Sequence, residues 1–236
     1  MDLKEKNIIV TGGSLGIGRA TAIELKKRGA NVLVTGRSLV RLSESFKDGK
    51  IKLCDFDIGE LNKISLNARK CLEMLDNRVD VLVNNAGIGV SKSVEDITAD
   101  DFLDVYNVNV FGLALFTKEI VPLMKKQKRG TIINIGSTAS LKGYKNGSIY
   151  SSSKFAVRSL SQCWQSELRP YNIRVCQINP SEVTTAFGSA NRLEREEKPN
   201  RLSPKEISHA IISAIEMDNK GFINELNVWA TNPFEN

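Results

Sequence analysis

The chain has 236 residues, of which 41% are hydrophobic and 25% charged, and its formal net charge is +6. That balance suits one sizeable folded core, and no apolar run approaches the roughly 20 residues of a membrane-spanning helix. One histidine excludes a histidine-rich metal site and argues against a serine–histidine–aspartate hydrolase, while cysteines at 54, 71, 163 and 176 show neither disulfide-framework nor metal-ligand spacing.

In chain order, Met1 to Lys6 lacks the apolar core of a signal peptide, so a cytoplasmic protein without membrane attachment is expected. The run Asn7–Val10 reads as a strand ending in Thr11-Gly12-Gly13-Ser14-Leu15-Gly16-Ile17-Gly18, and a helical stretch then runs to Arg28 and stops at Gly29. Gly12 and Gly16 let the backbone turn tightly and approach a pyrophosphate, which the free N–H groups of a helix N-terminus favour. Gly18, Ala22 and Leu25 share one helix face, so a small first residue allows close packing on a sheet.

Further strand-like runs at Asn31–Thr35, Lys50–Leu53, Val79–Val83, Thr131–Ile135 and Arg174–Ile178 alternate with helical stretches, and Asn224–Trp229 makes a seventh. The pattern predicts a single domain over residues 1–236: a doubly wound α/β fold of about seven mostly parallel strands with helices on both faces. Lys125, Lys126, Lys128 and Arg129 precede Gly130, where a helix should end; cations there complement the helix dipole, so no nucleic-acid partner is expected. The least regular stretch is Ser181 to Leu202. His209 lies far from every motif.

Tyr150 and Lys154 stand four residues apart with Ser137 upstream. On a helix, positions i and i+4 share a face, so the ammonium would sit beside the ring hydroxyl. A phenol with an ordinary pKa of about 10 needs such a charge to exchange protons near neutrality; at about 4 Å the pair is worth roughly 4 kcal/mol at an effective dielectric near 20. The expectation is a Tyr150 pKa drawn down towards physiological pH.

Thr-Gly-x-x-x-Gly-x-Gly, Asn84-Asn85-Ala86-Gly87 after an apolar strand, Ser137 and Tyr150-x-x-x-Lys154 together resemble the short-chain dehydrogenase/reductase family, in its common single-domain, Rossmann-type branch. The resemblance implies hydride transfer between a nicotinamide cofactor and a carbonyl or secondary-alcohol substrate, a 3-oxoacyl thioester being one such ketone. Tyr150 would be the general acid/base, Ser137 would bind the substrate oxygen, Lys154 would tune the phenol and hold the nicotinamide ribose, and Asn109 would hold a water linking Lys154 to solvent. Gly12, Ser14, Leu15, Gly16, Ile17 and Gly18 would form the pyrophosphate turn, Asp57 and Ile58 would hold the adenine, and Asn85, Ala86 and Gly87 would line the cofactor. Pro180, Val183 and Thr185 would fix the nicotinamide, although Ser181 stands where the family usually has glycine.

At the tip of the second strand Gly36 replaces the aspartate that NAD-preferring relatives carry, and Arg37 and Ser38 follow, which points to NADP(H). The resemblance further implies a homodimer or homotetramer built on helices at Ala99–Lys126 and Tyr150–Arg169, and a lid at Ala186–Leu202 joined by Leu141–Lys145. Lys142, Lys145, Arg192 and Arg195 would tolerate an anionic substrate, offset by Glu194, Glu196 and Glu197, and the basic helix end at Lys125, Lys126, Lys128 and Arg129 is where an acidic acyl-carrier protein would dock, as in relatives that serve fatty-acid synthesis. The C-terminal stretch lacks the double glycine of many relatives. The alternative is a catalytically idle NADP(H)-binding sensor or scaffold, against which the complete set Ser137, Asn109, Tyr150 and Lys154 argues.

Overall fold

A computed structural model describes residues 1–188 and 193–234. Arg192, one of the cations considered for an anionic substrate, lies outside the described residues. The strands are β1 (Asn7–Thr11), β2 (Asn31–Gly36), β3 (Lys52–Asp55), β4 (Val81–Asn84), β5 (Gly130–Ile135), β6 (Ile173–Pro180) and β7 (Glu225–Val228). They form one sheet of seven strands in the order β3-β2-β1-β4-β5-β6-β7, with every pairing parallel. Between them run α1 (Gly16–Lys27), α2 (Leu39–Ser45), α3 (Ile64–Met74), α4 (Ala99–Tyr106), α5 (Leu113–Gln127), α6 (Ser148–Leu168) and α7 (Pro204–Glu216).

Alternation along each strand sends side chains to two cores. Ile8 and Val10, Val32 and Val34, and Val81 and Val83 face the helices that carry Leu25, Ile207 and Ile211. Their neighbours Ile9, Leu33 and Leu82 face Ala68, Phe116, Ile120 and Met124 on the other side. A parallel sheet buried on both faces needs near-continuous apolar strands, which is what β1, β2 and β4 supply. Among the described residues no helix is long and apolar enough to cross a membrane.

Three boundaries differ from the sequence reading. β4 begins at Val81 because the Gln127 side chain takes both backbone groups of Val79, accepting from its N–H at 3.4 Å and donating to its carbonyl at 2.9 Å. β3 begins at Lys52 because Gly49, with φ +65°, and an Asp48 side chain that accepts from the Lys50 N–H at 3.2 Å extend the preceding turn. The long helix expected at Ala99–Lys126 is broken by a π-helical turn at Asn107–Gly112. Gly112 is what lets this turn dock, since a Cβ there would lie 2.2 Å from the Ile58 carbonyl oxygen.

At the N-terminal edge of the sheet, Asp80 gathers three elements. Its carboxylate accepts from the Asn7 N–H at 3.0 Å and pairs with Arg78 at 2.9 Å and Arg129 at 3.2 Å, with the Asp80 side chain only 3% exposed. Asp80→Ala should lower unfolding free energy by about 2 kcal/mol, through a buried N–H left unpaired and two lost ion pairs. Urea denaturation of the variant beside the parent checks this.

Candidate active site

The strand order reverses between β1 and β4, so the chain leaves their C-terminal ends in opposite directions, which is where sheets of this kind offer a binding crevice. The turn after β1 lines it. Gly12 and Gly16 take φ +66° and +55°, and a Cβ on Gly12 would stand 2.6 Å from Ala86 Cα, so only glycine lets the two strand ends approach this closely. Gly18 keeps the helix close to the end of β1, as expected: a Cβ there would lie 2.8 Å from the Gly12 carbonyl oxygen and 2.9 Å from Gly13 Cα, and it would also meet the Asn85 amide nitrogen at 2.4 Å. The Asn85 amide donates to the carbonyls of Thr11 at 2.9 Å and Gly12 at 3.0 Å, while the Thr11 hydroxyl accepts from the N–H groups of Asn85 and Ala86 at 3.1 Å each.

The N-terminus of α1 has no side-chain cap on Leu15 and no acidic residue in its first turn. Its Gly16 N–H donates instead to the carboxylate of Glu194 at 3.0 Å. A glycine cradle with an uncapped helix end and a carboxylate on its N–H fits the diphosphate of a dinucleotide. Ser14 is buried beside α2, and the Ser45 hydroxyl donates to its carbonyl at 2.7 Å.

On the opposite wall, α6 carries Tyr150 and Lys154 in its first two turns. Lys154 is 4% exposed and donates to the Ile135 carbonyl at 2.8 Å, and its Nζ lies 5.7 Å from the centre of the Tyr150 ring. Burial lowers the Lys154 ammonium to about 8. Burial pushes the Tyr150 phenol up to about 12, against the opposing pull of its hydrogen bond with Ser137; proximity to Tyr144 raises it further. The expected fall of the Tyr150 pKa is therefore corrected: at this separation the ammonium, turned towards the Ile135 carbonyl, does not offset desolvation.

Ser137 caps the short turn after β5, its Oγ accepting from the Ala139 N–H at 3.1 Å. Asn109 lies in the π-helical turn, where such geometry recurs at functional sites. Its amide donates to the Ile88 carbonyl at 2.9 Å and to Ser153 Oγ at 3.0 Å, and its Oδ1 accepts from the Ile88 N–H at 2.9 Å. A Cβ on Gly87 would lie 3.3 Å from that Oδ1 and 3.7 Å from Lys154 Nζ, so Gly87, Asn109 and Lys154 converge.

The remaining residues fall around this crevice. Thr185 is buried, its methyl 3.2 Å from where a Gly16 Cβ would be, and its hydroxyl accepts from the Phe187 N–H at 3.1 Å. Val183 bridges Leu202, and Pro180 ends β6. Ser181 has no left-handed φ and its N–H donates to the Val228 carbonyl at 2.8 Å, so the absent glycine costs this segment nothing. Arg37 follows β2 with its nearest carboxylate, Asp57, at 3.9 Å, and Ser38 caps α2 by accepting from the Arg41 N–H at 3.3 Å. Asp57 also accepts from the Gly59 N–H at 2.8 Å, and Ile58 is buried in the core behind it. Among the described residues no group of three or more His, Cys, Asp or Glu is placed to hold a metal ion.

Residues 6–196 match the family profile described as short chain dehydrogenase. The chain belongs to the short-chain dehydrogenase family. An uncharacterized oxidoreductase of Staphylococcus saprophyticus is 31% identical over 234 residues, covering 97% of this chain and 98% of that one. A 3-ketodihydrosphingosine reductase of Bacteroides thetaiotaomicron is 35% identical over 183 residues, or 76% of this chain and 65% of that longer protein. An alcohol dehydrogenase of the archaeon Thermococcus sibiricus, solved with 5-hydroxy-NADP, superposes with a TM-score of 0.88 at 26% identity, covering 99% of this chain and all of that one. Oxidoreduction with a nicotinamide cofactor is the activity of the family.

Beneath the site of this short-chain dehydrogenase runs a row of buried polar side chains that the sequence reading missed. Asn84, Asn134, Gln177 and Glu225 are register partners on β4, β5, β6 and β7. Asn84 donates to Asn134 at 2.9 Å, Asn134 to Ser161 at 2.9 Å, and Ser161 to Gln177 at 3.0 Å. Gln177 donates to Asn179 at 2.7 Å, which donates to Glu225 at 2.7 Å and accepts from the Ser137 N–H at 3.3 Å. Glu225 pairs at 3.0 Å with Arg158, one turn beyond Lys154 on α6. The available signal was polar residues alternating with apolar ones in Cys176-Gln177-Ile178-Asn179. Arg19, Phe187 and Tyr144 were also missed: the Phe187 ring lies 5.4 Å from that of Tyr150, and the Tyr144 ring lies over Gly147, 2.6 Å from where a Cβ would be.

Lys154 titrates at about 8 when folded against an ordinary 10.5, so between those values the unfolded chain holds a proton that the native one has released, and stability rises with pH. Tyr150 acts oppositely between about 10 and 12, where the folded phenol keeps a proton that the unfolded chain has lost. Lys154→Met should therefore abolish a pH-dependent gain on the order of 2 kcal/mol between neutrality and pH 10. Urea midpoints for parent and variant at pH 7 and pH 9.5 test it.

Proposed function

We propose that this protein is an NADPH-dependent reductase of a ketone or related carbonyl, which also runs in reverse on a secondary alcohol, with Tyr150 as the general acid/base. One observation carries the reading: the Tyr150 phenol meets Ser137 at the mouth of the crevice, with the Lys154 ammonium one turn behind and the glycine turn opposite. The dinucleotide, when bound, supplies the hydride. The chain's own residues do the rest. Tyr150, a phenol and therefore protonated at neutral pH, gives its proton to the carbonyl oxygen, and Ser137 donates a hydrogen bond to that oxygen as charge grows on it. Lys154, close to Gly87 at the crevice floor, would hydrogen-bond the nicotinamide ribose and stabilise the phenolate left after transfer. Asn109 fixes the backbone at Ile88 and the hydroxyl of Ser153, and so sets the height of α6 against that floor. A water relay from Lys154 would leave by its Oδ1.

Gly12, Ser14, Leu15, Gly16, Ile17 and Gly18 would hold the diphosphate, Asp57 and Ile58 the adenine, and Asn85, Ala86 and Gly87 the floor, with Pro180, Val183 and Thr185 at the nicotinamide. NADP(H) is favoured over NAD(H) because no acid stands at the end of β2 and Arg37 is half exposed, free to turn from a 3.9 Å contact with Asp57 to a 2′-phosphate beside Ser14 and Ser38. The NADP analogue bound by the Thermococcus sibiricus relative is in keeping with this. The Phe187 and Tyr144 rings beside Tyr150 favour a substrate with an apolar or aromatic body. Half-exposed Leu103, Phe111 and Phe155, on α4, the π-helical turn and α6, supply the apolar surface for pairing of subunits.

Tyr150→Phe should lower turnover of ketones, β-ketoesters or acyl thioesters about 10²- to 10⁴-fold, with NADPH affinity within about twofold of the parent. Loss of NADPH absorbance across such a panel measures it. Equal rates would displace Tyr150 from its role, and NADPH binding without turnover of any carbonyl would favour an idle sensor or scaffold. Arg37→Ala should reduce the preference for NADPH over NADH about ten- to hundredfold in measured dissociation constants. Light scattering at micromolar concentration should give a dimer or tetramer.

A further inference from the structure

The first turn of α1 already holds an anion, and the anion belongs to the chain itself. Gly16 N–H donates to Glu194 Oε1 at 3.0 Å, and the other oxygen of the same carboxylate lies 3.8 Å from Arg19 Nη1. The helix supplies no acid of its own there, and Arg19 Nε is buried without a hydrogen-bond partner among the described residues. Two donors thus converge on one carboxylate that arrives from far along the chain. The segment that brings it also reaches the other end of the crevice: Arg195 donates to the Phe187 carbonyl at 3.0 Å, and the Phe187 ring covers that of Tyr150.

We propose that Gly16 N–H and Arg19 form a single anion seat that takes either the Glu194 carboxylate or the diphosphate of the dinucleotide. On this reading, which rests on the dinucleotide assignment above, Arg19 is a diphosphate contact and Glu194 is an internal competitor that weakens cofactor binding. Both anions need the same donors, and two negative charges at one seat repel, so occupation is mutually exclusive. The apparent cofactor affinity falls in proportion to the fraction of molecules whose seat is free. Both side chains of the pair are partly exposed, so the contact is modest and a shift of about three- to tenfold is expected.

The test is equilibrium titration of the whole chain with NADPH at fixed ionic strength, followed by nicotinamide fluorescence. Glu194→Gln should bind about three- to tenfold more tightly than the parent, whereas Glu196→Gln, which removes the same charge two residues further on, should stay within about twofold. Arg19→Gln should weaken binding, and adding Glu194→Gln to it should recover less than the gain Glu194→Gln gives alone. A parent and Glu194→Gln protein with equal affinity would overturn the competition and leave the dinucleotide reading intact. So would a Glu196→Gln gain as large as that of Glu194→Gln, which would reduce the effect to net charge. Failure of both parent and Glu194→Gln to bind NADPH would overturn the dinucleotide reading and the inference together.

Discussion

The arrangement of this protein turns on one buried cation. Lys154 enters the protein beneath the C-terminal edge of the sheet, and its ammonium gives its hydrogen bond to the end of β5, at the Ile135 carbonyl. An ammonium so placed is costly to desolvate, and the fold offsets part of that cost with the hydrogen bond to the Ile135 carbonyl. Gly87 lies at the same spot: a Cβ there would crowd Asn109 Oδ1 at 3.3 Å while standing in ordinary contact with the lysine at 3.7 Å. The π-helical turn leaves the regular helical ladder where Asn109 must face Ile88, and Gly112 lets it settle on the Ile58 carbonyl. The irregular backbone therefore answers a local need of the site.

The second constraint is rigidity between Ser137 and Tyr150, which come from different elements. Ser137 leaves the end of β5, whereas Tyr150 opens α6. The row of amides across β4, β5, β6 and β7 joins them, because Asn179 accepts from the Ser137 N–H while its partner Glu225 is paired to Arg158 on α6. Buried networks of this kind hold geometry when each member is satisfied. Among the described residues Asn84 Oδ1 is the member of the row without a partner, at its β4 end. Gly136 is tied to the same row, since a Cβ there would stand 2.1 Å from Asn179 Oδ1.

The segment after β6 closes the other side. It is fixed to the body at Val183 and Leu202, and between them Phe187 and Glu194 reach the two ends of one crevice.

Much of the fold was legible because its signals are local. Apolar runs such as Asn7–Val10, the glycine turn, and Tyr150 with Lys154 at helical spacing each follow from neighbouring residues, and the family motifs marked the fold class. What stayed hidden depends on residues far apart in the chain. Gln127 shortening β4 at Val79, Glu194 on Gly16, and Glu225 beneath Ser137 are contacts that sequence periodicity does not encode. The sign of the Tyr150 pKa belongs with them: spacing put an ammonium near a phenol, but only the depth of burial and the direction in which Lys154 points decided which influence prevails. Strands and helices could be read from the chain because they rest on backbone preference and hydrophobic period. Tertiary structure alone decided which of the titratable groups share a boundary with water, and electrostatic free energy in a protein depends on that boundary more than on distance along the chain.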